Sequence, residues 1–144
     1  MKAANALLLA DLRNQITDGL PAWAECGGLL LLARTLDGQP QAGVVPAAGT
    51  MTDRLTLGYR QATSLVASPI GPAGTTLRGH EFHYSIVDPP GEALMLTSRW
   101  GERTDGFATE TLLATYLHHH PGGDSSAVAT FATTCALRRT LRLA

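Results

Sequence analysis

The sequence predicts an α/β domain in which helices and strands pack in layers. Three observations support this: helical patterns near both ends, strand patterns through the middle, and one strand-turn-helix pattern at 21–33. In that pattern a short apolar run enters Glu25-Cys26-Gly27-Gly28 and a longer apolar run leaves it. With 144 residues, the chain is long enough for one domain, 1–144, with a buried core.

The first half of the chain alternates helical and extended patterns. Residues 3–17 have helical apolar spacing, with Leu8, Leu12 and Ile16 on one stripe, and Gly19 with Pro21 ends this helix. The strand, turn and helix follow and reach Arg34. After them the pattern predicts a turn at Asp37-Gly38, a short strand over 43–46 and a hairpin over 54–67.

The second half is predicted to be mostly extended until a closing helix. The loop 71–74 precedes a strand over 77–87, a β-hairpin over 94–100 and a strand over 112–119 that Pro121 ends. Residues 124–142 form the helix, capped by Asp124 or Ser125. We expect its apolar face to contain Val128, Phe131 and Leu137.

Composition excludes several classes of function. The net charge is −1 and charges of both signs are interspersed, so nothing indicates a nucleic-acid surface. No apolar stretch is long enough to span a bilayer, so we expect no membrane partner. Two cysteines far apart predict neither a disulfide framework nor a structural zinc site, and the expected compartment is the cytoplasm.

Cys26 is the candidate nucleophile. At the N-terminus of the predicted helix, free N–H groups and the helix dipole favour thiolate over thiol. The two glycines allow a tight turn, and the Gly27 N–H is free to face a substrate oxygen. The alternative is a buried cysteine in the core, which is the usual role of an isolated cysteine. Cys135, in the closing helix, is expected to be inert and at least semi-buried.

The histidines supply candidate bases for this thiol. Strand alternation puts His118 and His120 on one face and His119 on the other. His118 lies near a strand end, where catalytic groups of α/β sheets collect, so we expect it to be the base of Cys26 and His120 to support it. Alternatives stay open: a metal site, or ordinary strand residues at 80 and 83. The metal site would use His80, His83, His118 and His120.

Four segments in order resemble the glutaminase domain of cobyrinate (hydrogenobyrinate) a,c-diamide synthases. They are Ala24-Glu25-Cys26-Gly27-Gly28, Leu57-Gly58-Tyr59-Arg60, the run 77–85 that reads Leu-Arg-Gly-His-Glu-Phe-His-Tyr-Ser, and Thr115-Tyr116-Leu117-His118-His119-His120. Together they extend over nearly the whole chain. The resemblance implies a flavodoxin-like class I glutamine amidotransferase domain of the cobyric-acid-synthase type.

The resemblance also implies roles for individual residues. Cys26 would attack the side-chain amide of glutamine, His118 would act as base, and Gly27 N–H would stabilise the oxyanion. His120 stands where typical class I members have a glutamate, which leaves a Cys-His dyad. Gly28 and His120 are further candidates for contact with substrate. A planar guanidinium suits the glutamine α-carboxylate, which makes Arg54 and Arg60 candidates as well.

The chain departs from the resembled family in length. Family members are several times longer, and no G-x-x-x-x-G-K-[ST] run occurs in this sequence, so we expect these residues not to include the synthetase domain that would use ATP and Mg²⁺ on a corrin. We expect an N-terminally truncated domain without cofactor or metal of its own, and an exposed edge or apolar face that favours a homodimer. The alternatives are the glutaminase of a related enzyme, such as a cobyric acid synthase or a peptidoglycan-amidating enzyme, and a non-catalytic remnant.

Overall fold

Helices begin and end the described part of the chain, and strands occupy most of its middle. The computed structural model describes residues 5–123 and 125–143. In chain order the elements are α1 (Ala6–Thr17), β1 (Ala22–Glu25), α2 (Gly27–Leu32), β2 (Thr35–Leu36), β3 (Gln39–Pro40), β4 (Ala48–Ser64), β5 (Thr76–Asp88), β6 (Leu94–Ser98), β7 (Gly101–Asp105), β8 (Phe107–Ala108), β9 (Leu112–Thr115), β10 (His118–His119) and α3 (Ser126–Leu143).

The strands of the described residues form two sheets. The smaller sheet has the order β1-β9-β8, with β1 parallel to β9. The larger sheet is built on the long antiparallel pair β4–β5, which β10 extends on one side and β2 with β3 on the other. The β6–β7 hairpin pairs with the end of β4. Because β9 belongs to one sheet and β10 to the other, the short link between them joins the two sheets.

Strand β9 is central to the core. Leu112 and Ala114 belong to one buried cluster, with Leu29 and Leu32 of α2, whereas Leu113 belongs to a second cluster with residues of the larger sheet. Successive side chains of a strand point to opposite faces, so β9 is covered on both sides. This agrees with the layered α/β fold class that the sequence predicts.

Each long helix buries only part of its predicted apolar stripe. In α1 the buried side is formed by Leu9, Leu12 and Ile16, whereas Leu8 is 62% exposed. On the predicted face of α3, Phe131 packs inward against Trp23, whereas Val128 and Leu137 are exposed. The predictions for Leu8, Val128 and Leu137 were therefore wrong. The proposed cap Asp124 lies outside the described residues.

The predicted strand over 43–46 is a loop that closes the end of α2. The N–H groups of Val44 and Val45 both donate to the carbonyl of Leu32, and Gly43 N–H donates to Ala33. The last carbonyls of a helix have no partner within the helix, and this segment supplies one. Its apolar residues are thus held by α2 and not by a sheet, which the local pattern does not reveal.

The predicted hairpin over 54–67 is instead part of one long strand. Residues on both sides of the supposed turn pair with β5 in order, and the register shifts only between Met51 and Thr56. The neighbouring predictions are confirmed: the turn at Asp37-Gly38, the strand over 77–87 and the hairpin that begins at Leu94.

The predicted strand over 112–119 is interrupted at Tyr116 and Leu117. Asp105 accepts a hydrogen bond from Tyr116 N–H at 3.1 Å, and Thr115 Oγ1 accepts one from Leu117 N–H at 3.0 Å. These side chains replace bonds of the sheet, so the chain leaves β9 and enters the larger sheet as β10. The break determines where the histidines lie. No helix within 5–123 and 125–143 is long and apolar enough to cross a membrane.

Candidate active site

Cys26 occupies a sharp turn between β1 and α2, as the sequence predicts. Its φ of 50° lies in the left-handed region, which costs a non-glycine residue about 1–3 kcal/mol. Cys26 N–H donates to Thr115 O at 2.8 Å, and Cys26 O accepts from Leu30 N–H. A Cβ at position 28 would lie 3.2 Å from the Cβ of Ala24, so glycine there lets α2 fold back closely on β1.

The environment of the thiol corrects one expectation. Burial raises the pKa of Cys26, the nearby carboxylates of Glu25 and Glu81 raise it further, and the hydrogen bond from Gly27 N–H only partly offsets them. The Sγ atom lies 3.8 Å from Phe82 O. The helix that follows is only six residues long. The resting group is therefore the thiol and not the thiolate, so the site needs a base to remove its proton.

His118 lies close to the residue that precedes Cys26. Its Nδ1 is 3.9 Å from Oε2 of Glu25, and its ring stacks on that of His80 at 5.0 Å between centroids. Glu25 pairs with Thr115 at the end of β9, and Cys26 follows at once. The ends of β1 and β9 thus bring the proposed nucleophile and the proposed base to the same edge of the smaller sheet. Their roles remain predictions.

The other histidines point in different directions. His119 packs beside Trp23 at 5.4 Å, whereas exposed His120 lines a cavity of about 440 Å³ together with Arg78 and His80. His118 and His120 therefore lie away from the core and His119 lies towards it. In the described part of the chain, no three His, Cys, Asp or Glu side chains gather as a metal site requires.

The two candidate arginines have different surroundings. Arg60 Nε donates to Glu81 Oε2 at 2.7 Å, and its Nη1 donates to Tyr59 O, so part of its guanidinium is already engaged. Arg60 also lines the 440 Å³ cavity. Arg54 is exposed near the register shift of β4. The structure does not bring Arg54 and Arg60 together.

A buried charge cluster beside the thiol was missed at the sequence level. Glu81 is 0% exposed and is held by Arg60, Arg103 and His83. Burial alone would raise the pKa of Glu81, but the hydrogen bond from His83 and the charges of Arg103 and Arg60 lower it to about 2. The alternation of β5 contained a signal, since position 81 shares its face with buried Leu77 and Ser85.

Cys135 lies in different surroundings from Cys26. It is exposed, so the expectation of a core or semi-buried residue was wrong. It lies in the middle of α3 and not at a tight turn, and the residues next to it in sequence include no histidine.

Comparison with known proteins identifies a matching family and several similar proteins. The CobB/CobQ-like glutamine amidotransferase domain family matches residues 2–125. The hydrogenobyrinate a,c-diamide synthase of Streptomyces coelicolor is 40% identical over 138 residues, which are 92% of this chain and 28% of that protein. The cobyrinate a,c-diamide synthase of Gloeobacter violaceus is 40% identical over 130 residues, which are 86% of this chain and 28% of that protein. The chain thus spans less than a third of the length of these relatives.

The fold has a solved counterpart. The crystal structure of a putative GMP synthase component from Thermoplasma acidophilum superposes with a TM-score of 0.58 at 15% identity, over 94% of this chain and 68% of that one. The family match and this superposition confirm the predicted fold class, a flavodoxin-like class I glutamine amidotransferase domain.

Proposed function

Because the chain belongs to the CobB/CobQ-like glutamine amidotransferase domain family, we propose that it hydrolyses glutamine and supplies ammonia for an amidation. The observation that carries the proposal is the strained turn at Cys26. That turn holds one thiol at the edge where His118 lies, and Gly27, whose N–H lowers the pKa of the thiol, directly follows it. A backbone amide in this position is suited to stabilise the oxyanion of an acyl-transfer intermediate.

The proposed reaction has two halves. His118 takes the thiol proton as Sγ of Cys26 attacks the side-chain amide carbon of glutamine, and the proton then passes to the departing nitrogen, which leaves as ammonia. The glutamyl thioester is hydrolysed by a water molecule that His118 activates, which releases glutamate and restores the thiol. The raised pKa of Cys26 makes the base necessary in the first half.

We further propose that the ammonia serves carboxylates of a corrin. The support is the names of the relatives, which are hydrogenobyrinate and cobyrinate a,c-diamide synthases. Activation of those carboxylates would require ATP and Mg²⁺ in a synthetase segment, and the 144 residues contain no G-x-x-x-x-G-K-[ST] run to bind the phosphates. We expect this reaction in the cytoplasm, where free cysteines such as Cys26 and Cys135 persist.

An exposed apolar surface supports contact with another polypeptide. The outer face of β4 and β5 exposes five large side chains: Leu57 at 59%, Tyr59 at 88%, Phe82 at 53%, Tyr84 at 44% and Ile86 at 55%. Contiguous apolar patches of this kind are typical of interfaces. We propose that the synthetase segment covers this face. A homodimer is the alternative, and sedimentation of the purified chain separates the two.

The proposed activity is tested by glutamate release from the purified chain. We expect release that Cys26→Ser abolishes and that the matched control Cys135→Ser leaves unchanged. We expect no amide product when ATP, Mg²⁺ and a corrin are added to the chain alone. Glutamate release that survives Cys26→Ser would contradict the proposal.

A further inference from the structure

We propose that Glu25 is the acid that orients His118, so that the site works as a Cys26-His118-Glu25 triad. The inference rests on the proposed glutaminase reaction and adds a positioning residue to it. Glu25 would act through the base, since its Oε2 lies 3.9 Å from Nδ1 of His118, and it directly precedes the nucleophile in sequence.

The carboxylate of Glu25 is fixed at one oxygen and directed at His118 with the other. Oε1 accepts a hydrogen bond from His119 N–H at 3.0 Å, and Oε2 lies 3.9 Å from Nδ1 of His118. The pairing of Glu25 with Thr115 holds its backbone beside the end of β9. The side chains of Glu25 and His118 are 29% and 33% exposed, so water only partly screens the interaction between them.

Among the residues that the structure describes, the other groups around His118 do not supply an acid. On β5, His80 stacks on the ring of His118 with an interplanar angle of 16°. Glu81 of the same strand is engaged with Arg60, Arg103 and His83. On the histidine segment itself, position 120 is a histidine. Within 5–123 and 125–143, Glu25 is therefore the carboxylate that lies nearest to Nδ1 of His118.

The role of such a carboxylate follows from the two nitrogens of imidazole. A carboxylate that accepts from Nδ1–H keeps the proton off Nε2, which leaves Nε2 free to take the thiol proton from Cys26. As Nε2 receives that proton, the ring becomes positive and the charge of Glu25 stabilises it. The same proton then moves to the amide nitrogen that leaves as ammonia, so the imidazole returns to its starting form.

The test uses Glu25→Gln, which keeps a side-chain oxygen for His119 N–H but removes the charge. We expect kcat for glutamine to fall roughly 10- to 100-fold, with KM changed less than threefold, since only part of general-base catalysis is lost. The matched control is Glu110→Gln, an exposed glutamate in the loop before β9, which we expect to retain full kcat. A kcat for Glu25→Gln within twofold of that of the control would overturn the proposal.

A second readout separates positioning from a simple charge effect on the thiol. Glu25 raises the pKa of Cys26, so Glu25→Gln should let the thiol react with iodoacetamide at lower pH than in the parent chain. Easier ionisation together with slower turnover is the result that a positioning role predicts. Faster turnover together with easier ionisation would mean that Glu25 acts on the thiol alone, and this result would overturn the positioning role.

A third readout does not depend on activity. Nitrogen-15 NMR of the His118 ring, assigned with His118→Gln, should show the Nδ1–H tautomer in the parent chain and a shift towards Nε2–H in Glu25→Gln. An unchanged tautomer would overturn the positioning role even if glutaminase activity is present. If the parent chain releases no glutamate, the proposed function fails by itself, and the tautomer still decides the contact between Glu25 and His118.

Discussion

Glu81→Gln is expected to lower the free energy of unfolding by about 3 kcal/mol at neutral pH. The folded-state pKa of Glu81 is about 2, against an ordinary value of 4.5. This pKa difference of roughly 2.5 corresponds to about 3 kcal/mol of stability, because a pKa difference of one is worth about 1.4 kcal/mol. Removal of one partner from a buried ion cluster is expected to cost a similar amount, about 3–5 kcal/mol.

The sign of the pH dependence follows from the lowered pKa. The contribution of Glu81 is fully present above pH 4.5, the unfolded value, and is lost as the pH falls towards about 2. The gap between the parent chain and Glu81→Gln should therefore be constant from about pH 7 to pH 6 and shrink to less than half at pH 3. Other carboxylates titrate in both proteins, so the difference isolates position 81.

Urea unfolding at pH 7 and pH 3, followed by tryptophan fluorescence, measures this difference. Glu110→Gln is the control, because Glu110 is exposed, and it should change the free energy of unfolding by less than about 0.5 kcal/mol. A loss below about 1 kcal/mol for Glu81→Gln at pH 7, or a gap that does not narrow at pH 3, would show that the charge of Glu81 does not stabilise the fold.

Three further predictions concern the site. His118→Ala should reduce glutamate release roughly 10²–10⁴-fold and His120→Ala less than tenfold, and the reverse order would exchange their roles. Either Arg54→Lys or Arg60→Lys, in a protein that includes the synthetase segment, should raise the KM for glutamine while ammonia-dependent activity survives; an unchanged KM in both variants would remove both arginines from the site. Gly79→Ala should lower both stability and activity, since its Cβ would lie 2.0 Å from His118 O, and a Tm within 1 °C of the parent would contradict this.

The elements that were predicted correctly have their sequence signals within the element itself. The turn at Cys26 is encoded by two glycines between apolar runs, and the strand over 77–87 by its alternation. The loop at 43–46 was not predictable, because its backbone bonds are made to the end of α2. The break after Thr115 depends on Asp105, ten residues earlier, which binds Tyr116 N–H.

The candidate site shows the same division. Cys26 and His118 stand out by residue type and position, and the structure places both at the end of the β1–β9 pair. The raised pKa of the Cys26 thiol was not predictable, since it depends on burial and on Glu81, which lies 55 residues away in sequence. The cluster around Glu81 depends likewise on Arg60 and Arg103 from two other strands.

The most direct test of the account is to map where a glutamine-analogue electrophile, 6-diazo-5-oxo-L-norleucine, reacts. We predict one adduct on Cys26 that excess glutamine prevents and that His118→Ala slows strongly. Cys135 is exposed and provides an internal control, since any label there should be slow and insensitive to glutamine. An adduct on Cys135 that glutamine prevents, with Cys26 unlabelled, would contradict the assignment of Cys26 as the nucleophile.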